Sequence, residues 1–327
     1  MTSIDTAFSR QVGIEVPLIC GAMYPCSNPE LVAAVSEAGA IGVVQPISLT
    51  YVHGHEYRAG LKLIRSLTTK PIGLNALIEQ SSRIYRERME KWIEIALEEG
   101  VRFFVTSLGN PKWVVRRVES VGGVVYHDVT ERKWAQKAMD GGVHGLIAVN
   151  ARAGGHAGTR TAQQLLDEVR DFGLPVICAG GIGGGASFAA ALRMGYAGAQ
   201  LGTRFIATPE CIASDAYKRA IVSSSSDDIV LTERITGVPV AVIRTPFIER
   251  MGMSIGPFAR RLFRGRKTKH WMRSYYALRS LRQLKKASLD ESADYWQAGK
   301  SVSEITSIKP AAEVVHELAS AAAGAIV

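Results

Sequence analysis

The sequence predicts an α/β fold, a TIM (β/α)8 barrel with a smaller C-terminal lobe over the barrel mouth. Short apolar runs alternate with helix-length amphipathic segments from Pro17 to Ile221, as expected of strands that helices cover. In a closed barrel the carboxyl ends of all strands converge on one face, where active sites form. Unusual polar residues and glycines fall at these ends and favour a barrel over an open sheet: Asn75, Ser107, His127, His156, Gly180, Gly181 and Thr203.

Eight strands are predicted in order, most of them as continuous apolar runs. They are Pro17–Gly21, Ile41–Gln45, Pro71–Ala76, Arg102–Ser107, Val124–His127, Gly145–Val149, Leu174–Ala179 and Ala199–Leu201. Helices are predicted at Pro29–Ala38, Ile84–Glu99, Pro111–Val121, Glu131–Met139, Ala162–Phe172 and Gly185–Met194. Gly39 and Gly100 follow the first two helices, as glycine commonly does where a helix ends.

The pattern changes after residue 222, so we divide the chain into a barrel of residues 1–222 and a C-terminal lobe of residues 223–327. Polar residues 223–228 form the predicted turn between the two parts. The lobe is predicted to contain strands at Ile229–Arg234 and Val238–Ile243, a basic segment at 250–289, and an alanine-rich helix from Pro310 to Ala323.

The composition is that expected of an ordinary soluble globular protein. Its 327 residues are 47% hydrophobic, enough for a large core, and none of its apolar runs reaches the ~18 residues of a membrane span. His53 and His55 form an HxH pattern without an evident third ligand, so we expect no metal site. The scattered cysteines are typical of reduced thiols in a cytoplasmic protein: Cys20, Cys26, Cys178 and Cys211.

The net charge of +9 comes from one segment. Residues 250–289 contain twelve Lys or Arg and no acidic residue, so the basicity is local and does not indicate a nucleic-acid-binding surface. Within it, Arg260 to Tyr276 interleaves cations with aromatic residues. The segment can contact an anionic acyl-CoA or carrier protein, or touch a membrane surface or nucleic acid. We favour a solvated helical face that packs Phe263, Trp271, Tyr275 and Leu278 onto the barrel.

Two glycine clusters point to a phosphate site. Residues 153–158 follow the sixth strand, and residues 179–185 follow the seventh, with Gly202-Thr203 after the eighth. Glycine lets backbone N–H groups approach an anion, and barrels commonly bind phosphate at the loops after strands seven and eight. His156 lies between glycines and can act as acid or base near neutral pH, although binding the phosphate is an alternative role.

In order along the chain, Gly154-Gly155-His156, Ala179-Gly180-Gly181-Ile182 and Gly202-Thr203-Arg204-Phe205 resemble the nitronate monooxygenase family, formerly called 2-nitropropane dioxygenases. Flavin-dependent enoyl-acyl-carrier-protein reductases share these motifs. The resemblance implies FMN bound non-covalently in a TIM barrel. It implies Ala22 and Met23 beside the isoalloxazine ring, Asn75 at its polar edge, and His156 as the catalytic residue.

The full set of candidate cofactor-binding residues combines the strand ends, the glycine loops and the resemblance. They are Ala22, Met23, Asn75, Ser107, His127, Gly155, Ala179, Gly180, Gly181, Gly202 and Thr203. Tyr24 and Arg152 are assigned to the substrate pocket, although loop packing explains Tyr24 and His127 equally well. Arg152 replaces the acidic residue that the family usually carries two positions before its Gly-Gly-His.

Three functions stay open for a small-molecule substrate. The first is oxidation of alkyl nitronates by O2, giving a carbonyl compound and nitrite. The second is NAD(P)H-dependent reduction of quinones or enoyl thioesters. In the enoyl case an acyl thioester enters the barrel mouth. The third is a barrel without flavin that acts on a phosphorylated metabolite. The sequence leaves the oligomeric state open, a homodimer included.

Overall fold

Eight parallel strands close into a barrel in chain order, which confirms the predicted TIM-barrel fold. The computed structural model describes residues 3–78, 83–256 and 284–326. Strand β1 pairs with both β2 and β8 and so closes the ring. The strands are β1 Leu18–Cys20, β2 Ile41–Val44, β3 Ile72–Leu77, β4 Phe103–Ser107, β5 Val124–Val129, β6 Gly145–Val149, β7 Val176–Ala179 and β8 Gly198–Leu201.

Helices follow the strands and cover the outside of the barrel. They are α1 Ala7–Val12, α2 Pro29–Glu37, α3 Tyr57–Leu67, α4 Arg83–Glu98, α5 Lys112–Glu119, α6 Arg132–Asp140, α7 Ala162–Val169, α8 Gly185–Met194, α9 Thr203–Ile206, α10 Asp215–Ser223, α11 Pro246–Met251 and α12 Ala311–Ile326. Residues 284–289 are also helical. None of the helices in the described ranges has the length and apolar character needed to span a bilayer.

Helix α3 was not among the predicted helices. Its first turn is capped by the Glu56 carboxylate, which accepts a hydrogen bond from the Ala59 N–H. Gly60 lies inside the helix and lowers its intrinsic helix propensity. A Cβ at Gly60 would lie 2.8 Å from Leu49 side-chain atoms, so glycine serves close packing against the loop after β2. The tertiary contact with Leu49 thus outweighs the low helix propensity of this segment.

Helix α1 plugs the amino-terminal end of the barrel. Phe8 is fully buried there against Phe103 and Tyr126, with ring centroids 5.6 and 5.3 Å away. The Tyr126 hydroxyl donates to Gln11 Oε1 at 2.7 Å. Gly145 makes room for this cluster, because a Cβ there would lie 2.3 Å from the Tyr126 ring. The end opposite to this plug is the barrel mouth.

The C-terminal region has two parts in the described ranges. Strands β9 (Ile229–Thr232) and β10 (Val240–Ile243) lie where two strands were predicted. They pair antiparallel as a hairpin, which contacts the loop after β6 through a bridge between Gly155 and Ala241. Helix α12 packs outside the barrel against α8 and α2. The division at residue 222 stays a prediction. Most of the basic segment, including Phe263, Trp271, Tyr275 and Leu278, lies outside the described residues.

Candidate active site

A layer of polar side chains lines the inside of the barrel mouth. Side chains alternate along a strand, so Asp128 faces inward two residues after Tyr126, and Ser107 does so two residues after Val105. By the same alternation Asn75 and Gln200 face inward. Among the described residues, none forms a hydrogen bond with these four side chains. Oδ1 of Asp128 is buried without a partner, so this layer offers unsatisfied polar groups to a bound molecule.

The glycine loop after β7 forms one half of the predicted phosphate rim. Gly180 and Gly181 both adopt left-handed conformations, with φ of 113° and 81°. A Cβ at Gly180 would lie 2.5 Å from the Ala153 N atom and 2.7 Å from Asn150 Oδ1. The Asn150 amide ties this loop to the preceding one, because its Nδ2 donates to the Gly180 carbonyl at 2.9 Å. Glycine is therefore required at Gly180 by both backbone conformation and space.

The loop after β8 forms the other half of the rim. Thr203 is buried at the start of α9, and its Oγ1 accepts a hydrogen bond from the Gly299 N–H at 3.0 Å. A Cβ at Gly202 would lie 3.3 Å from Met23 Sδ, so the loop after β1 reaches the same rim. The structure thus brings Met23, Gly202 and Thr203 together, as the sequence predicts.

The amino terminus of a helix favours an anion, and a carboxylate of this chain already lies beside that of α8. Oε2 of Glu304 accepts hydrogen bonds from the Gly183 N–H at 3.1 Å and the Ser187 hydroxyl at 2.5 Å. Glu304 lies more than a hundred residues further along the chain, and no sequence pattern signalled this contact. The backbone N–H groups of Gly180 and Gly181, by contrast, have no backbone acceptor in the described part of the chain.

His156 is held at the mouth by the C-terminal hairpin. The preceding Gly155 is left-handed, and its carbonyl accepts a hydrogen bond from the Ala241 N–H at 2.8 Å. The imidazole is exposed, yet surrounding protein desolvates it and lowers its pKa. Both facts fit a ring that is open to solvent on one side and flanked by protein on the other. A neutral imidazole in such a place can accept a proton.

His127 and Asp128 face opposite sides of β5. The Nδ1 atom of His127 lies 2.8 Å from the Thr106 hydroxyl, on the face that Val125 and Val129 share with the outer helices. Burial lowers the pKa of His127 to about 4. The structure therefore places the His127 side chain outside the barrel wall, apart from the other candidate residues. Burial raises the pKa of the inward-facing Asp128 to about 7.

The remaining candidates lie around the same mouth. Ala22, Met23 and Tyr24 are half-buried after β1, where the Ser27 hydroxyl accepts a hydrogen bond from the Met23 N–H at 2.8 Å. Ala179 is buried in the barrel interior below the glycine rim. The role of each candidate residue stays a prediction. Gln200 was missed, although alternation from Gly198 would have placed it on the inner face.

Comparison with known proteins identifies a family and close structural neighbours. A sequence model of the nitronate monooxygenase family matches residues 5–321. The chain is 31% identical over 252 residues, 76% of this chain and 68% of the relative, to (3aS,4S,5R,7aS)-5-hydroxy-7a-methyl-1-oxo-octahydro-1H-indene-4-carboxyl-CoA dehydrogenase of Mycobacterium tuberculosis. It is 28% identical over 273 residues to a nitronate monooxygenase of Pseudomonas aeruginosa, covering 70% of this chain and 77% of that protein.

Two solved structures share the fold over nearly the whole chain. FabK from Thermotoga maritima matches with a TM-score of 0.79 and 27% identity, covering 99% of this chain and 98% of FabK. A nitroalkane oxidase from Streptomyces ansochromogenes matches with a TM-score of 0.76 and 25% identity, covering 96% of this chain and 97% of the oxidase.

Proposed function

The chain belongs to the nitronate monooxygenase family, and from this premise we propose that it is an FMN-dependent oxidoreductase. Its proposed reaction oxidises alkyl nitronates with O2 to a carbonyl compound and nitrite, the nitronate entering as the anion or forming in the site when a neutral nitroalkane loses its acidic C–H proton. One observation carries the proposal: exposed His156 and the glycines Gly180, Gly181 and Gly202 all lie on loops that follow the neighbouring strands β6, β7 and β8. A proton-transfer group and an anion rim at one barrel mouth suit an oxidoreductase with a phosphorylated cofactor.

The residues at the mouth fit FMN. Gly180 and Gly181 present free N–H groups where any Cβ would clash, which suits a phosphate close to the backbone. The unpartnered side chains of Asn75, Ser107 and Gln200 suit the polar edge of a flat heterocycle. Ala22 and Met23 offer a half-buried surface for its ring. FMN, when bound, supplies the electron transfer between substrate and O2.

His156 has the proposed role of moving the substrate proton. Because desolvation lowers its pKa, the imidazole is neutral near pH 7 and a ring nitrogen can accept a proton from an acidic C–H. The Ala241–Gly155 hydrogen bond fixes the loop that carries the ring. A substrate that enters already as the nitronate anion does not require this first proton transfer.

Replacement of His156 tests its role. We expect His156→Ala to keep FMN bound and to reduce turnover of neutral nitroalkanes by roughly 10²- to 10⁴-fold. His316→Ala is the matched control, because His316 is exposed on α12 outside the barrel. Steady-state kinetics and the visible spectrum of each purified variant provide the measurements. Unchanged turnover in His156→Ala would remove His156 from the mechanism.

A second candidate function is a flavin-dependent dehydrogenase or reductase of acyl thioesters. The similarity to the carboxyl-CoA dehydrogenase of M. tuberculosis favours it. Anaerobic mixing with NADH or NADPH tests for the reductase, because rapid bleaching of the flavin supports it. Anaerobic bleaching by a saturated acyl-CoA supports the dehydrogenase, and a spectrum unchanged by either reagent supports the nitronate reaction. A colourless protein that cannot take up FMN would overturn both and favour a barrel without flavin.

A further inference from the structure

We propose that Arg152, which the sequence analysis assigned to the substrate pocket, is instead a phosphate-binding residue that recognises the phosphomonoester of the bound flavin. This inference rests on the proposed function and deepens it, because it names the cation that selects FMN over riboflavin. The contacts of the Arg152 side chain, its charge environment and the amides beside it carry the argument.

The Arg152 side chain lies directly on the glycine rim. A Cβ at Gly181 would lie 2.6 Å from Arg152 Nε, 2.9 Å from its Cδ and 3.0 Å from its Cβ. The Arg152 backbone is fixed on both sides: its N–H donates to Asn150 Oδ1 at 2.8 Å, and its carbonyl accepts from the Lys300 N–H at 2.9 Å. The guanidinium is therefore delivered to the rim from a well-anchored loop.

The guanidinium is almost unused within the chain. Its one hydrogen bond to a described residue is a long contact of 3.5 Å from Nη2 to the Lys300 carbonyl. Arg152 has no ion pair in the part of the chain that the structure describes. Other arginines of this chain do pair; Arg160, in the same loop, bonds Glu168 at 2.5 Å. An exposed guanidinium without a carboxylate is available to an external anion.

Glu304 explains why a cation is needed at this rim. Its carboxylate takes the amide of Gly183 just before α8, so a second anion at this helix end would lie beside a negative charge. The free amides of Gly180 and Gly181 remain, but the nearby negative charge opposes a phosphate dianion. Arg152 offsets that charge and offers two parallel N–H donors that match phosphate oxygens.

Comparison of FMN with riboflavin isolates the contact, because the two ligands differ by the phosphate alone. Dissociation constants are measured by flavin fluorescence for the FMN-free full chain and for Arg152→Ala, Arg152→Lys and Arg160→Ala. We expect Arg152→Ala to weaken FMN by on the order of tenfold to a hundredfold while riboflavin affinity is unchanged. The FMN dissociation constant of Arg152→Lys should fall between those of wild type and Arg152→Ala. That of Arg160→Ala should match wild type.

A second measurement avoids dependence on riboflavin affinity. Inorganic phosphate should raise the melting temperature of the FMN-free wild type above that in chloride of equal ionic strength, and Arg152→Ala should lose this difference. An unchanged FMN-to-riboflavin ratio in Arg152→Ala, or equal weakening of both ligands, would overturn the proposal. Failure of the wild type to bind either flavin would instead overturn the proposed function.

Discussion

At the scale of single residues, His127 and Asp128 show how strand alternation decides chemical environment. Burial lowers the pKa of His127 to about 4 and raises that of Asp128 to about 7, so both side chains favour their neutral forms. Their contributions to the free energy of unfolding change with pH in opposite directions. Neutral His127 contributes stability that is lost as the pH falls, whereas Asp128 contributes stability that is lost as the pH rises.

Asp128→Asn should stabilise the FMN-free protein at alkaline pH. Between about pH 4 and 7 the folded state holds a proton on Asp128 that the unfolded state has released, so ionisation penalises the fold increasingly up to pH 7. Asparagine resembles the protonated carboxyl and avoids this penalty. We expect a gain of about 2 kcal/mol at pH 8, reduced for partial exposure, and little change at pH 4. Urea unfolding of wild type and Asp128→Asn between pH 4 and pH 8 measures this difference in the free energy of unfolding.

Asp227→Asn is the control for this prediction, since Asp227 is exposed on a surface turn. Its effect on the free energy of unfolding should not follow the same pH profile. A gain in Asp128→Asn that is equal at pH 4 and pH 8 would contradict the prediction.

The sequence could identify part of the site at this scale. Motif order located His156 and the glycine rim, because glycine is obligatory where φ is positive and space is absent, as at Gly180. Counting alternate residues would also have separated His127 from Asp128. Contacts between distant parts of the chain, such as Glu304 with Gly183, have no local signature and required the structure.

At the scale of elements, helices α8 and α12 make the closest helix contact in the C-terminal region. A Cβ at Gly185 would lie 2.3 Å from the Ala321 Cβ. The alanine-rich composition of α12 predicted a helix, but composition could not identify its partner. The small side chains of both helices explain why α12 packs against α8, because they let the two backbones approach closely.

Gly185→Ala should therefore destabilise the protein by about 1–3 kcal/mol, since the added methyl group must push α12 away from α8. Gly324→Ala is a matched control in α12, where a Cβ meets nothing within 4 Å. That change should stabilise the protein by up to about 1 kcal/mol through helix propensity. The free energies of unfolding in urea provide the comparison. If neither change destabilised the protein, the helix contact would be looser than the structure indicates. If both did, the effect of Gly185→Ala would not be specific to this contact.

At the scale of the whole molecule, alternation of apolar and amphipathic segments predicted a parallel α/β fold, and the polar residues and glycines at the strand ends favoured a closed barrel over an open sheet. The eight strands fall within a few residues of their predicted positions, since most of their residues are buried and apolar. Helices α1, α3, α9, α10 and α11 were not predicted. Helix α1 is short and α3 contains Gly60, so tertiary packing stabilises them more than their own sequence does.

The two ends of the barrel differ: one is packed with buried side chains, and the other carries the candidate active site. Phe8, Phe103 and Tyr126 fill the amino-terminal end, where α1 closes the interior. His156 and the glycine rim lie at the other end, on loops after the strands. In a barrel the strands themselves separate these layers, so a defect in the plug should lower stability without reshaping the mouth.

Phe8→Ala tests this division. Removing a fully buried ring should lower the free energy of unfolding by about 3–5 kcal/mol, because the surrounding barrel cannot collapse into the cavity. The FMN dissociation constant, measured well below the melting temperature, should match wild type. Phe172→Ala is the control: this ring is half-buried outside the barrel with Arg132 4.7 Å above it, and its loss should cost about 1 kcal/mol. A parallel loss of FMN affinity in Phe8→Ala would mean that the plug and the mouth are coupled through the strands.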